Sequence, residues 1–137
     1  MKITVTDDFD ACMTIRRKVF VEEQAVPEEL ELDAHDATAV HLLAVADGRP
    51  VGTARLLIDG HHAKIGRVAV LAETRGTGAG AALMRTALDE LRARGVREVA
   101  LGSQTHAIGF YERLGFRAHG PEYDDAGIPH RDMTLLL

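Results

Sequence analysis

Lys64-Ile65-Gly66-Arg67-Val68-Ala69-Val70-Leu71, followed by Arg75-Gly76-Thr77-Gly78-Ala79-Gly80 and an amphipathic run that ends at Arg94-Gly95, is the stretch whose reading decides the fold. An apolar run, a glycine-rich turn and a helical period predict strand, loop and helix. Gly76, Gly78 and Gly80 let backbone N–H groups approach a ligand with no side chain in the way, and the following helix turns its unpaired N–H groups and positive dipole end toward the loop. Such a loop suits phosphate.

On the near side of this stretch, Val40–Ala46 and Val51–Ile58 are apolar runs separated by Asp47-Gly48, and Asp59-Gly60 separates the second from the Ile65 run. Two Asp-Gly turns between three strand-like runs predict an antiparallel meander whose last strand feeds the loop. Met1 to Thr6 reads as a first strand, and Asp7 or Asp8 can cap a helix carrying Phe9, Cys12, Met13, Val19 and Phe20 near one stripe. Arg16, Arg17 and Lys18 interrupt that stripe, so the helix is expected to bend or end before Phe20 and resume as a turn through Glu22 and Gln24. From Glu22 to Asp36 there are carboxylates at 22, 23, 28, 29, 31, 33 and 36, no base, and Pro27. This predicts a loop with a short helical piece, either a solvated acidic surface or a rim that steers a cationic substrate.

On the far side, Ala81, Met84, Ala87, Leu88 and Leu91 repeat at helical spacing, with Gly95 placed for a left-handed cap. Val96 to Leu101 reads as a buried strand reached by a right-handed parallel crossover. A helix over His106–Leu114, a short strand over Phe116–His119, a polar loop over Pro121–His130 and a final strand over Arg131–Leu137 complete the chain. No repeat or linker divides residues 1–137, which predicts one domain.

The 137 residues carry 16 Lys and Arg against 21 Asp and Glu, a net charge of -5. That balance argues against a general nucleic-acid binder. One cysteine, Cys12, permits no internal disulfide, and no run resembles a membrane span or a secretory signal, so a cytoplasmic location without membrane contact is expected. The histidines show no ligand spacing, and no metal is expected.

Three loop chemistries compete. A Walker loop needs Lys then Ser or Thr after the last glycine, where Ala81-Ala82 stand. Gly76-x-Gly78-x-x-Ala81 matches a dinucleotide fingerprint, but Leu101-Gly102-Ser103 stand where a ribose-binding acid belongs, and the remaining chain is too short for a doubly wound sheet. The third pattern is Arg-x-x-Gly-x-Gly, met by Arg75, Gly78 and Gly80. Together with Ala107-Ile108-Gly109-Phe110-Tyr111-Glu112-Arg113-Leu114-Gly115-Phe116, similar to an FYxxxGF segment, it makes nearly the whole chain resemble the GNAT superfamily of N-acetyltransferases. Arg17-Lys18-Val19-Phe20-Val21-Glu22-Glu23-Gln24 with Pro27, Gln104, and Gly127-Ile128-Pro129-His130 resemble its ElaA-like branch.

The resemblance implies an α/β (α+β) fold with a mixed central sheet of about seven strands, splayed after the strand at 64–71, and helices on both faces. It implies acetyl-CoA as donor. The N–H groups of Arg75, Gly76, Thr77, Gly78, Ala79, Gly80 and Ala81 would bind its diphosphate, and Val68, Ala69 and Val70 would pair with its pantetheine arm as an added strand does. Gln104 would bond the arm or satisfy the strand end. Tyr111 stands where the family places the acid that protonates the leaving thiolate, the alternative being that it only packs. Where some members carry a carboxylate base this chain has Lys64, which leaves Glu23 and His130 as candidate bases. Cys12 lies on an apolar stripe and is read as an inert thiol, so transfer would be direct, in a ternary complex. A small amine, cationic or neutral, a protein lysine or N-terminus, and a CoA-binding module without chemistry all remain open as the use of this donor site. A homodimer through Leu135-Leu136-Leu137 is an expectation of the same kind.

Overall fold

The computed structural model describes residues 1–137. In chain order it holds β1 (Lys2–Thr6), α1 (Phe9–Arg16), a π-type turn (Arg17–Glu23), α2 (Glu28–Glu31), a 3-10 turn (Ala34–Ala37), β2 (Val40–Ala46), β3 (Arg49–Asp59) and β4 (His62–Val70). After a 3-10 turn (Ala72–Thr74) come α3 (Ala79–Ala93), β5 (Glu98–Gln104), a 3-10 turn (Thr105–Ala107), α4 (Ile108–Arg113), β6 (Arg117–Asp125) and β7 (Ile128–Leu136).

The strands form one seven-stranded sheet in the order β1-β2-β3-β4-β5-β7-β6. All neighbours are antiparallel except β4 and β5, which the α3 crossover makes parallel. Asp8 caps α1, its Oδ1 accepting from Ala11 N at 3.1 Å. Gly95, at φ +81°, ends α3, with Val96 N reaching back to Leu91 O at 3.0 Å in a left-handed cap.

Alternation along the strands sends side chains to two cores. Leu42, Ala54, Leu56 and Ile65 bury against Leu83, Met84, Ala87 and Leu91 of α3 on one face. Leu43, Ala69 and Leu71 bury against Cys12, Ile15 and Val19 on the other. Helices on both faces are as the family resemblance implies.

One expectation is corrected. The polar stretch Pro121–His130 is a hairpin, since β6 continues to Asp125 and β7 begins at Ile128. Ala126 and Gly127 make the two-residue turn, at φ +54° and +81°, and alanine in that place hides the turn from a reading based on Asp-Gly or Asn-Gly. Pro121 is tolerated because β6 is an edge strand. In the C-terminal strand, β7 lies between β5 and β6, and its pairing with β6 ends at Thr134 opposite Arg117, so Leu135 and Leu136 keep only β5 as a sheet neighbour. Of its last leucines only Leu136 is largely exposed, at 75%.

Alanine at positive φ is strained by about 1 kcal/mol, which asparagine tolerates better. Ala126→Asn is therefore expected to raise the thermal midpoint by a few degrees, read by circular dichroism; an unchanged or lower midpoint would count against a strained turn.

Candidate functional site

The site begins where β4 leaves β5. The two strands pair only from His62 to Lys64 against Glu98 to Ala100. Beyond that, β4 runs on to Val70 with β3 on one side and no strand on the other. The cause is local. Thr53 pairs with Ala69 and Arg55 with Gly66, so Ala54 alone stands opposite Arg67 and Val68, and Arg67 takes φ +50°. A bulge of this kind bends and twists its strand, here away from β5.

At the end of β4 the loop turns through Gly76 and Gly78, at φ +78° and +87°, conformations that a side chain would strain. The N–H groups of Gly76, Thr77, Gly78, Ala79, Gly80 and Ala81 donate to no backbone or side-chain acceptor, and the first turn of α3 begins among them. A run of free N–H groups at a helix N-terminus is a receptor for anionic oxygen.

A cleft of about 820 Å³ opens along the split. It brings together Val68, Ala69, Val70, Arg75, Gln104, Tyr111 and His130, and its lining also includes Leu30, Asp33 and His35 from the acidic segment and Tyr123, Ala126 and Ile128 from the β6–β7 hairpin. Gly76 to Ala81 continue from Arg75 and do not line it.

Tyr111 packs edge-on against Phe110 and Phe116, with ring centroids 5.0 and 6.0 Å away, and its hydroxyl meets no protein acceptor. Burial pushes the phenol up to about 12, so it holds its proton across the neutral range. His130 is 9% exposed, and its Nδ1 stands 2.7 Å from Ile128 O. A carbonyl only accepts, so the Nδ1 carries a proton, which leaves the Nε2 as the ring nitrogen that can accept one. The ring stacks on Tyr123 at 5.8 Å and 25°.

The other candidate base does not join them. Both carboxylate oxygens of Glu23 are occupied by Arg75, at 2.8 and 3.0 Å, and Glu23 does not line the cleft. Gln104 donates to Gln24 Oε1 at 2.8 Å, and its own Oε1 lies 2.7 Å from His106 Nε2. Lys64 lines the cleft floor. Cys12 is fully buried, and burial pushes its thiol up, the opposite of what a nucleophile needs.

The largest correction falls on the second half of the acidic segment, since Glu22, Glu23, Glu28 and Glu29 are exposed as expected. Glu31 and Asp36 are 2% and 8% exposed, and Arg16, at 1%, binds both: its Nε donates to Glu31 Oε1 at 2.5 Å and its Nη1 to Asp36 Oδ1 at 2.8 Å. Arg55 donates to Asp33 Oδ1 at 2.7 Å and Asp36 Oδ1 at 3.2 Å, and Arg67, on the bulge, reaches Asp33 Oδ2 at 3.3 Å. Arg16, Arg55 and Arg67 thus cancel Glu31, Asp33 and Asp36. These carboxylates are neither a solvated face nor a free acidic rim; they pin α2 and the 3-10 turn over the cleft. An arginine interrupting the apolar stripe of α1, with a base-free acidic run after it, was the signal in the sequence. Tyr123 gave none: its hydroxyl, bonded to Asp132 Oδ1 at 2.9 Å, sits where a Cβ on Gly102 would lie 2.3 Å away.

A seven-stranded mixed sheet that splits between two parallel strands beside an anion-binding loop, with a protonated phenol in the split, defines an acyl-CoA-dependent N-acyltransferase. The acetyltransferase (GNAT) domain model matches residues 6–137, and the chain belongs to the GNAT family of N-acetyltransferases. YyaT of Bacillus subtilis (strain 168) is 37% identical over 136 residues, covering 97% of this chain and 92% of that one. ElaA of Escherichia coli (strain K12) is 34% identical over 130 residues, covering 90% and 84%. Among solved structures, E. coli ElaA superposes with a TM-score of 0.85 at 29% identity over 97% of this chain and 96% of that one. An acyl-CoA N-acyltransferase from Pseudomonas aeruginosa does so with 0.84 at 33% identity, over the same shares.

Burial by itself raises the Asp36 carboxyl, but Arg16, the Asp33 N–H and Arg55 outweigh it and hold it at about 2; Asp33 is lowered in the same sense, burial again being opposed by Arg55 and Arg67. Both pKa values lie below the ordinary 3.8, so their contribution to stability is complete above that pH and is lost as pH falls toward 2. Glu31, raised by burial against the pull of Arg16, has the opposite sign, and its effect is complete once pH has fallen to its ordinary 4.5, above the range in which the Asp33 and Asp36 contributions are lost. Urea midpoints should therefore fall between pH 4 and pH 2, less steeply in Asp36→Asn. Arg16→Met, which strands two buried carboxylates, should cost about 3 to 5 kcal/mol at pH 7. A loss under about 1 kcal/mol, the size of a surface pair, would contradict the network.

Proposed function

We propose that the chain transfers an acetyl group from acetyl-CoA to a primary amine of a small molecule, by direct attack in a ternary complex. The observation that carries this reading is the meeting of Tyr111 and His130 in one cleft with the unpaired edge of β4. The free N–H groups from Gly76 to Ala81 suit the diphosphate, and the helix dipole of α3 adds to the attraction. Along Val68 to Val70 an amide-bearing arm would pair as an eighth strand, carrying the thioester toward Tyr111. Backbone N–H groups of the same edge would polarise the thioester carbonyl as charge develops on oxygen.

The neutral amine attacks the carbonyl carbon and forms a C–N bond. His130 Nε2 takes the proton that the nitrogen sheds. As the C–S bond breaks, the electron pair stays on sulfur and Tyr111 supplies it with a proton, recovered afterwards from water in the cleft. The buried Cys12 supports direct transfer over an acyl-enzyme. A cleft lined by α2 as well as by the β6–β7 hairpin favours a small acceptor over an extended peptide. With Glu31, Asp33 and Asp36 neutralised, electrostatic steering of a cation would fall to the exposed carboxylates of the same segment, Glu22, Glu28 and Glu29.

CoA release with a panel of small amines tests this. Tyr111→Phe should lower kcat by about 10²-fold with a near-unchanged acetyl-CoA KM, since a proton donor acts in the transition state. With the phenol at about 12, the native enzyme should show no loss of activity from this group on the alkaline side up to about pH 11. Full turnover in Tyr111→Phe would remove it from the chemistry, and acetyl-CoA binding with no turnover on any amine would point to a binding module.

A further inference from the structure

The motif Glu23-Gln24 is not used by the mechanism above, yet its two side chains bond to opposite lips of the split. Glu23 holds Arg75 through both oxygens, and the Nε of the same guanidinium donates to Val70 O, the last residue of β4, at 3.0 Å. Gln24 holds Gln104, the last residue of β5, at 2.8 Å. β4 and β5 are parallel and unpaired at these ends. Consecutive residues therefore tie together the ends of two strands that are not otherwise hydrogen-bonded there.

The backbone between them is shaped for this. The turn at Arg17–Glu23 is wound with i to i+5 bonds, Gln24 N to Val19 O at 3.2 Å, and the chain then reverses through Ala25 at φ +56°. Such π-type turns recur at functional sites. Each guanidinium Nη of Arg75 spends one N–H on Glu23, which leaves one N–H on each for an anion beside the loop.

Resting on the donor reading above, we propose that Glu23 and Gln24 are positioning residues of the donor site: a two-point strap across the split, which fixes Arg75 for the diphosphate on one lip and Gln104 for the pantetheine arm on the other. Glu23 acts by pre-paying the ordering of a long side chain, a cost that ligand binding would otherwise bear. Gln24 acts by holding the gap at one width, so that the arm enters a preformed slot.

The two ends are separable with two ligands, CoA and adenosine 3′-phosphate 5′-diphosphate, which has the diphosphate and lacks the arm. By isothermal titration, Glu23→Gln should weaken both by about 5- to 20-fold, and in an Arg75→Gln background it should weaken neither further, the non-additivity of residues acting through one contact. Gln24→Ala should weaken CoA by about 3- to 10-fold and leave the arm-less ligand unchanged. Tighter binding by Glu23→Gln would mean that the carboxylate competes with the diphosphate, and would overturn the proposal. So would equal weakening of both ligands by both variants with a lowered melting midpoint, the pattern of a segment that merely supports the fold. Should the unaltered chain bind neither ligand, the donor reading fails and the strap with it.

Discussion

A parallel strand pair that stays bonded for only His62 to Lys64 against Glu98 to Ala100 is the constraint on which the rest of this structure depends. Opening a sheet in its middle exposes backbone groups that would otherwise pair, and an exposed edge invites another strand. Here the edge is protected by its position: α2 and the β6–β7 hairpin flank it, and Arg75 and Gln104 are tied across it through Glu23 and Gln24. What remains open is a slot suited to one extended, amide-bearing chain. The bulge at Arg67 and Val68 creates the split, and the same residue that bends the strand also anchors the covering segment through Asp33.

The charged network serves that geometry at a cost. Arg16, Glu31 and Asp36 are nearly without solvent contact, and removing charges from water is repaid only when every hydrogen bond is made. Arg16 uses Nε, Nη1 and Nη2 on four acceptor contacts, two of them to Glu31 and two to Asp36. Apolar residues would have packed α2 without specifying where it sits. Directional bonds from α1, β3 and β4 to one short segment fix it in register over the cleft, and so fix the wall against which an acceptor lies.

The meander, the crossover and the loop were legible in the sequence because each has a local cause: Asp47-Gly48 for the first turn, helical spacing from Ala81 to Leu91, and glycines where φ is positive. The family followed from the loop and the Phe110-Tyr111 segment together. The rest was written in pairs of residues far apart in the chain. Glu23 read as a candidate base because its partner, Arg75, lies far along the chain, and Glu31, Asp33 and Asp36 read as part of an acidic surface or rim because their arginines come from α1, β3 and β4. Tyr123 was hidden by an alanine in a hairpin turn, which made a strand read as a loop.

The claim at the centre of this account is that the unpaired edge of β4 receives the arm of the donor. Amide hydrogen exchange, resolved by residue with and without acetyl-CoA, tests it most directly, because a strand added to that edge must take up N–H groups that now lack a sheet partner. The account predicts new protection within Val68 to Val70 together with the loop from Gly76 to Ala81. Protection at the loop with β4 exchanging as before would place the diphosphate correctly and the arm elsewhere, and would contradict it.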